Sequence, residues 1–499
     1  MNQDKEQTVT TRKWDFAELR FQVDDNPKYF TEAEFYALFS KGNCQKKVRG
    51  FYDDHGVFIL RFLAEETGTW QYETHSTVQA IDRQTGAIEV KAPADGVHGL
   101  VRVDPQNPLH FAYSDGTPYY PFGTTAYVWH YQTVDVQKET LETLAKAPFN
   151  KLRMCVFPKH YDYNLREPKR TPFLGNIKDG FDFTHFDTVF FHQLETQILA
   201  LQKLHIEVDL ILFHPYDRWG FAKMTEAQDL RYASYVIARL SAFRNIWWSL
   251  ANEYDLLTWK RNDFWDKLFC HIEEEDPYTH LRSIHNWHCP TYHYRDNTHW
   301  YDMRKAWVTH ASIQHHDMHF IPVWREKFQK PIVIDECRYE GNMDLGWGNL
   351  PGRKMVDLFW QCVVQGGYAT HGETFVHKDE ILWWAHGGRL IGESPKRIAF
   401  LRQLIEEGIP KRLIPYMHER HWDASIGYSA DKSYWLIYFG ESCPAYRHLD
   451  MLPEGKTFHA DIIDVWNMTL TPVEKVYKKN DTIQLYAREY IAVRLWEVK

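Results

Sequence analysis

The run from Asn245 to Asp255 reads NIWWSLANEYD. Seven residues suited to a buried strand end on an amide and a carboxylate, Asn252 and Glu253, with no Gly, Pro or Asp-rich turn between. A strand that stops this way delivers two polar side chains at the edge of a core, so the neighbouring segments decide which core it is.

Around this run the pattern alternates. Strand-like apolar stretches occupy 119–125, 149–157, 206–213, 245–251, 280–286, 309–315, 331–336 and 366–371. Between them lie amphipathic segments such as TVDVQKETLETLAKA, FDTVFFHQLETQILALQKLH, TEAQDLRYASYVIARLSAFR, NDFWDKLFCHIEEED and PGRKMVDLFWQCVVQ. SPKRIAFLRQLIEEG closes the series, with Ser394 expected as the N-cap before Pro395. Eight alternating units predict an α/β protein with a (β/α)8 TIM barrel. An open doubly wound sheet is the structural alternative, but no GxGxxG or GxxxxGK[ST] follows the first strand.

On either side the period shortens. Residues 13–103 give short strands with turn signals DDHG, ETGT and RQTG, which predicts an N-terminal β-sandwich. VRVDPQNP reads as a linker, and the chain returns to a β pattern from about residue 412. The expected division is 1–104, 105–411 and 412–499.

Composition narrows the partners. The formal charge of -9 and the lack of a basic tract argue against nucleic acid. Apolar runs such as VDLILF are far shorter than a membrane span. The polar start MNQDKEQTVTTRKW lacks a secretory pattern, so a chain beginning natively there is expected to be cytoplasmic. Seven scattered cysteines without a CxxC pair fit reduced thiols, Cys337 among them as a bystander. The 20 Trp and 29 Tyr supply either core or platforms for sugar rings.

In a (β/α)8 barrel the loops after the strands surround one mouth, so strand ends are where chemistry collects. The first strand leads to Trp129 and His130. The second carries Arg153, then Pro158, Lys159 and His160; the third ends in His214, the fourth in Asn252 and Glu253, and the fifth in His285 and Asn286. The sixth gives His315 and His316, the seventh Asp335 and Glu336, and the eighth His371 with Glu373 beyond. Glu253 and Glu336 come from opposite sides of the mouth. Paired carboxylates flanking one bond are the equipment of glycoside hydrolysis. Asp335 competes with Glu336, because strand alternation turns only one of two neighbours inward and the period does not say which. The histidines His285, His288 and His293 with Cys289, and His315, His316 and His319, suggest metal-dependent hydrolysis as a different chemistry.

WWSLANEYD and KPIVIDECRYEG, with FNKLRM and ILFHPYD, resemble clan A retaining glycoside hydrolases, whose fourth strand ends in Asn-Glu and seventh in Glu. DGTPYYPFGTTAYVW with these motifs is similar to the apiosidase-like barrel family, and the flanking β regions resemble the domains that accompany it. The resemblance implies Glu253 as general acid/base and Glu336 as nucleophile. It implies Asn252 on the sugar hydroxyl next to the anomeric carbon, and Arg153 holding Glu336 ionised. Trp129, His214, His285, His315 and His371 are expected at the rim as substrate-binding residues, with Trp384 in the role of the aromatic floor that GGYATHGE lacks. The expected function is a retaining glycosidase acting on short oligosaccharides or small glycosides, without a metal or other cofactor. A non-catalytic carbohydrate-binding barrel is the rival reading. The flanking sandwiches could shape the mouth or bridge the subunits of a homo-oligomer.

Overall fold

The computed structural model describes residues 8–161, 164, 166–287, 300–378, 380–407 and 412–498. At its centre eight parallel strands form one sheet: β1 (Phe122–Thr125), β2 (Lys151–Cys155), β3 (Glu207–Phe213), β4 (Ile246–Ala251), β5 (Arg282–Ser283), β6 (Ala311–Gln314), β7 (Ile332–Glu336) and β8 (Tyr368–His371). Neighbours pair from β5 back through β1 to β8, then β7 and β6. A parallel bridge between His285 and Ser312 joins the two ends, so the sheet closes as a barrel.

All eight strands are those expected from the sequence. They read as nearly continuous apolar runs because both faces are covered, by the lumen on one side and helices on the other. Helices α1 (Val134–Leu144), α2 (Thr188–Lys203), α3 (Glu226–Leu240), α4 (Asn262–Glu275), α5 (Ile321–Phe328), α6 (Gly352–Val364) and α7 (Ser394–Glu406) supply that outer layer. Their starts are fixed locally. Thr133 and Asp187 accept from the backbone N–H groups of Val136 and Phe190, and Thr225 with Gln228 forms a reciprocal capping box. The short α5 was not anticipated. Ser394 is not a cap: it is the first helical residue, and its hydroxyl donates to Glu340, whose carboxylate also accepts from the N–H groups of Glu393 and Ser394. A carboxylate from the β7 loop thus does the work expected of a local hydroxyl.

The lumen is filled in layers. The segment taken for a linker is a hairpin, Val101–Asp104 against Asn107–Tyr113. It sets Phe111 under the barrel, 5.2 Å from Trp247 and 5.3 Å from Tyr368 between ring centroids, at the starts of β4 and β8. Above this plug sits a charged layer. Lys151 bonds Asp209 at 2.7 Å and Asp335 at 2.6 Å, while Ser312 and Thr370 also donate to Asp335. These charges are buried but mutually satisfied, the condition for tolerating them in an interior.

Before the barrel, a five-stranded sheet (Thr8–Arg12, Thr85–Lys91, Gly68–Ser76, Phe35–Lys41, Cys44–Arg49) lies with a three-stranded one (Phe16–Gln22, Val57–Leu63, Phe51–Tyr52). Arg61 from this region reaches Glu195 on α2 at 2.9 Å, and Arg239 on α3 reaches Asp53 at 2.7 Å. After the barrel come a six-stranded sheet, whose core strands include Tyr434–Tyr438 and Ile491–Glu497, and a two-stranded one. Tyr438 ties it to Asp357 of α6. Among the described residues no helix is long and apolar enough to cross a membrane.

Candidate active site

The open end of the barrel, beyond the charged layer, holds a cavity of about 540 Å³. Glu253 and Glu336 both line it, with Lys159, Tyr216, Gln314 and Trp384 among their neighbours.

Glu253 continues the lumen-facing series Trp247, Ser249, Ala251 of β4 by one more step of two. Its backbone lies in the left-handed region, φ 48°, an unusual conformation for a residue with a Cβ that persists where surroundings fix it. Here the fixing contacts are the Glu253 N–H donating to His285 Nδ1 at 3.4 Å and the Tyr254 N–H donating to the His285 carbonyl at 3.0 Å.

Glu336 enters by a different route. Ile313 of β6 pairs with Ile334 of β7, but the next residue, Gln314, pairs with Glu336. That bulge places two residues of β7 against one of β6. Strand alternation was expected to send only one of Asp335 and Glu336 inward; the bulge sends both. Asp335 sits in the charged layer with Lys151, and Glu336 lies above it at the rim.

Three donors hold Glu336. Arg153, fully buried, lies 3.3 Å from its Oε1; the Tyr127 hydroxyl bonds the same oxygen; and Gln314 Nε2 donates to Oε2 at 2.7 Å. Gln314 Nε2 also donates to Glu253 Oε1 at 3.0 Å, so one amide nitrogen spans the two carboxyl groups. Tyr216 donates to the other oxygen of Glu253. Asn252 Oδ1 accepts from Arg153 at 3.0 Å and lies 3.2 Å from the Tyr127 hydroxyl, whose one proton goes to Glu336, leaving the buried Asn252 Nδ2 without a partner among the described residues.

These surroundings separate the two carboxyl groups. Burial raises Glu253, and the charge of Glu336 adds to it; Lys159, Tyr216 and Gln314 oppose them, and the net result is a value of about 7. Burial also works against ionisation of Glu336, but His285, Arg153, Lys159 and the Tyr127 hydroxyl outweigh it and hold the group below the ordinary carboxylate range. His285 is itself pushed down to about 3 by burial, so near pH 7 it is neutral and Arg153 supplies the permanent charge. Near neutral pH the site therefore holds Glu336 ionised while Glu253 is poised between its protonated and ionised forms, a division of labour suited to nucleophile and acid.

Of the other residues expected at the rim, Trp384 and His315 line the cavity. Trp384 is placed by the loop after β8 running alongside the loop after β1, with Tyr127 N–H donating to the Trp384 carbonyl and Val128 N–H to that of Ala385. Its ring stands 5.6 Å from Tyr127 and 5.3 Å from Trp347. His315 has its ring against Phe320 and Trp324, while the preceding residue, Gln314, makes the carboxylate contacts. Arg153, Asn252 and His285 lie beneath, in contact with the two glutamates or their backbone.

Trp129, His214 and His371 do not reach the cavity. Trp129 is wholly buried with its Nε1 on Met154 Sδ; His214 is buried beside the Phe157 carbonyl; His371 is stacked on Phe149 at 4.7 Å with Nδ1 on Thr124. Burial pushes both histidines down to about 3, so they are neutral core residues. Cys337 is buried and its thiol is pushed up to about 12. Of the histidine clusters, His288, Cys289 and His293 lie outside the described residues. Among the described residues the sets of converging ligand atoms are Asp25, Asp54 and His55, and Glu340, His371 and Glu373; neither includes His285, His315, His316 or His319.

Tyr127, Tyr216, Gln314 and Lys159 were not singled out as site residues. The first two sit inside the quoted motifs GTTAYVW and ILFHPYD, two residues past a strand end or its His. Gln314 carries no charge to flag it. Lys159 had been noted only as a loop residue.

Comparison with known proteins bears on the same region. The family model for an apiosidase-like catalytic domain matches residues 106–433. Two further models, each a domain of unknown function (DUF5060 and DUF5605), match residues 10–77 and 422–496. A crystal structure of a candidate glycoside hydrolase from Bacteroides vulgatus ATCC 8482 is 36% identical, covers 98% of this chain and 100% of that one, and superposes with a TM-score of 0.90. A glycoside hydrolase family 5 structure from the same strain is 15% identical over 80% of this chain and 93% of its own, TM-score 0.62. Another structure, described as a glycoside hydrolase, is 14% identical over 80% and 97%, TM-score 0.61. The last two show the fold alone. No curated protein matches the chain.

Proposed function

The chain belongs to the apiosidase-like family and is a glycosidase with a carbohydrate substrate, and on that premise we propose that it cleaves short oligosaccharides or small glycosides with retention of configuration, by double displacement on Glu336 and Glu253. The observation that carries the mechanism is the amide of Gln314. Because one nitrogen bonds an oxygen of each carboxyl group, at 3.0 Å and 2.7 Å, those oxygens lie within about 6 Å of each other; retaining pairs stand about 5–5.5 Å apart and inverting pairs roughly 6.5–9.5 Å. A water molecule and a sugar ring need the wider gap.

In the first step the ionised Glu336 attacks the anomeric carbon while protonated Glu253 gives its proton to the departing glycosidic oxygen. The C–O bond to the leaving group breaks as the bond to Glu336 forms. Glu253, now a carboxylate, then takes a proton from water as that water attacks the anomeric carbon, and the ester to Glu336 breaks. Arg153 and Tyr127 lower the charge cost on Glu336 when it is released. Asn252, whose Nδ2 is unpartnered among the described residues, is assigned to the sugar hydroxyl beside the anomeric carbon.

The preference for small substrates rests on shape. A cavity of about 540 Å³ falls in the range of roughly 300–1,000 Å³ typical of small-ligand sites, and Trp384, Trp347 and Tyr339 wall it. In this reading the three-part division at 1–104, 105–411 and 412–499 is adjusted at its first boundary, to about residue 100, so that the hairpin of Val101–Asp104 and Asn107–Tyr113 stays with the barrel it plugs; the barrel carries the chemistry and the flanking sheets brace its helices. The test is proton NMR of the first-formed sugar from an aryl glycoside. Appearance of the substrate's own anomer before mutarotation is expected; the opposite anomer would refute double displacement.

A further inference from the structure

Lys159 presents a buried ammonium that no hydrogen bond or ion pair of the described residues satisfies. The residue is only 5% exposed, yet it lines the cavity beside both glutamates. Its Nζ sits 3.6 Å from the ring centroid of Tyr127, 4.3 Å from that of Tyr216 and 5.0 Å from that of Trp384. Among the described residues no carboxylate pairs with this ammonium and no acceptor hydrogen-bonds it. The other buried lysines are treated differently: Lys151 has Asp209 and Asp335, and Lys260 has Asp229.

Aromatic faces attract a cation but accept none of its three N–H donors in the way an oxygen does. Among the described residues no hydrogen bond joins Lys159 to the hydroxyl of either tyrosine; Tyr127 donates to Glu336 and Tyr216 to Glu253. Desolvating an ammonium without a counter-charge is costly and is normally avoided. The cost is removed if the missing partner arrives with the ligand.

The electrostatics of the cavity point the same way. Burial disfavours the Lys159 ammonium more than the nearby carboxyl groups of Glu253 and Glu336 favour it, so the group is held below the ordinary lysine value. A second cation, Arg338, stands on the same wall. Arg338 is held there by its Nε donating to the Gly346 carbonyl at 2.9 Å.

Resting on the assignment of this cavity as the sugar site, we infer that the natural substrate carries an anionic group, a carboxylate or a sulfate ester, on the sugar next to the reacting centre, and that Lys159 receives it. A neutral hydroxyl would satisfy one N–H but bring no counter-charge into contact with the ammonium. An anion does both, and the tyrosine and tryptophan faces then shield the ion pair from water, where such a contact is stronger than at a surface.

The experiment uses matched sets of monosaccharides on the full-length protein: glucose, glucuronate and glucose 6-sulfate, and the corresponding galactose and mannose sets, with dissociation constants measured by ligand-observed NMR or calorimetry. In at least one set an anionic member is expected to bind about 10- to 100-fold more tightly than its neutral parent, the effect of one charge-assisted hydrogen bond. Whether uronate or sulfate wins identifies the source of the charge. The ratio is expected to fall toward one in Lys159→Met. Equal or tighter binding of the neutral members by the wild type would overturn the inference, and needs no variant to fold; so would a preference that survives in Lys159→Met. The same sets as 4-nitrophenyl glycosides separate this result from the hydrolytic reading. Lys159-dependent binding of anionic sugars without cleavage would uphold the inference and count against hydrolysis, whereas cleavage with no anionic preference would do the reverse.

Discussion

Replacing Tyr216 by phenylalanine removes the hydroxyl that donates to Glu253 and nothing else of size. In the wild type Glu253 stands at about 7, with burial and Glu336 raising it and the Tyr216 bond among the contacts lowering it. A hydrogen bond to an ionised group is worth about 1.5–3 kcal/mol, and about 1.4 kcal/mol equals one pKa unit. The protonated acid keeps part of that bond, so roughly one unit of upward shift is expected, to about 8. The sign matters. Glu253 must be protonated to serve the departing oxygen, so activity is present below its pKa and lost as the pH rises through it. The alkaline limb of the kcat/KM profile should therefore move up by about one unit, while the acid limb, set by Glu336 below the ordinary carboxylate range, stays in place. The assay is initial-rate hydrolysis of an aryl glycoside from pH 4 to 9.5. An alkaline limb that stays put or moves down in Tyr216→Phe would refute the assignment of Glu253 as the acid.

Other expectations follow from the same contacts. Gln314→Leu withdraws a donor from both carboxyl groups, so both limbs should shift upward and kcat/KM should fall roughly 10-fold or more; a shift of one limb alone would show that the amide serves only one of them. Phe111→Ala opens a void under the barrel and should cost about 3–5 kcal/mol in chemical denaturation, while leaving the pH profile unchanged. Arg61→Met strands Glu195 with Arg239 alone at the join between the first sheets and the barrel helices, and a loss of about 3 kcal/mol is expected. A change below about 0.5 kcal/mol, the range of ordinary surface substitutions, would mean that this contact does not brace the barrel.

The barrel was legible because its strands are buried on both faces. Most read as apolar runs with a few inward polar residues, and eight strand-like segments separated by amphipathic ones admit few topologies. The ends of β4 and β7 were legible too, since Glu253 and Glu336 interrupt those runs with charge. What sequence periodicity could not supply was the bulge in β7. A period of two forces a choice between Asp335 and Glu336, and only the register against Gln314 shows that both turn inward. The same limit explains the histidines. His214 and His371 follow strand ends as the glutamates do, but each finds a polar partner within the core, at Phe157 and Thr124, and stays there. Trp129 is wholly buried in a similar way, its Nε1 donating to Met154 Sδ of β2. Conversely Tyr127, Tyr216 and Gln314 act through neutral donors, whose importance depends on a distance to a carboxylate and leaves no mark in composition or spacing. The hairpin at 101–113 was hidden by its Pro and Asn residues, which signal a turn as readily as a linker.

The most direct test of the central claim is azide rescue of Glu253→Ala. Double displacement leaves this variant able to form the glycosyl ester on Glu336 from an activated aryl glycoside but slow to hydrolyse it. Azide needs no general base, so the account predicts that it restores turnover and yields a glycosyl azide with the configuration of the substrate. A glycosyl azide of inverted configuration, or rescue that persists when Glu336 is also replaced by alanine, would contradict it.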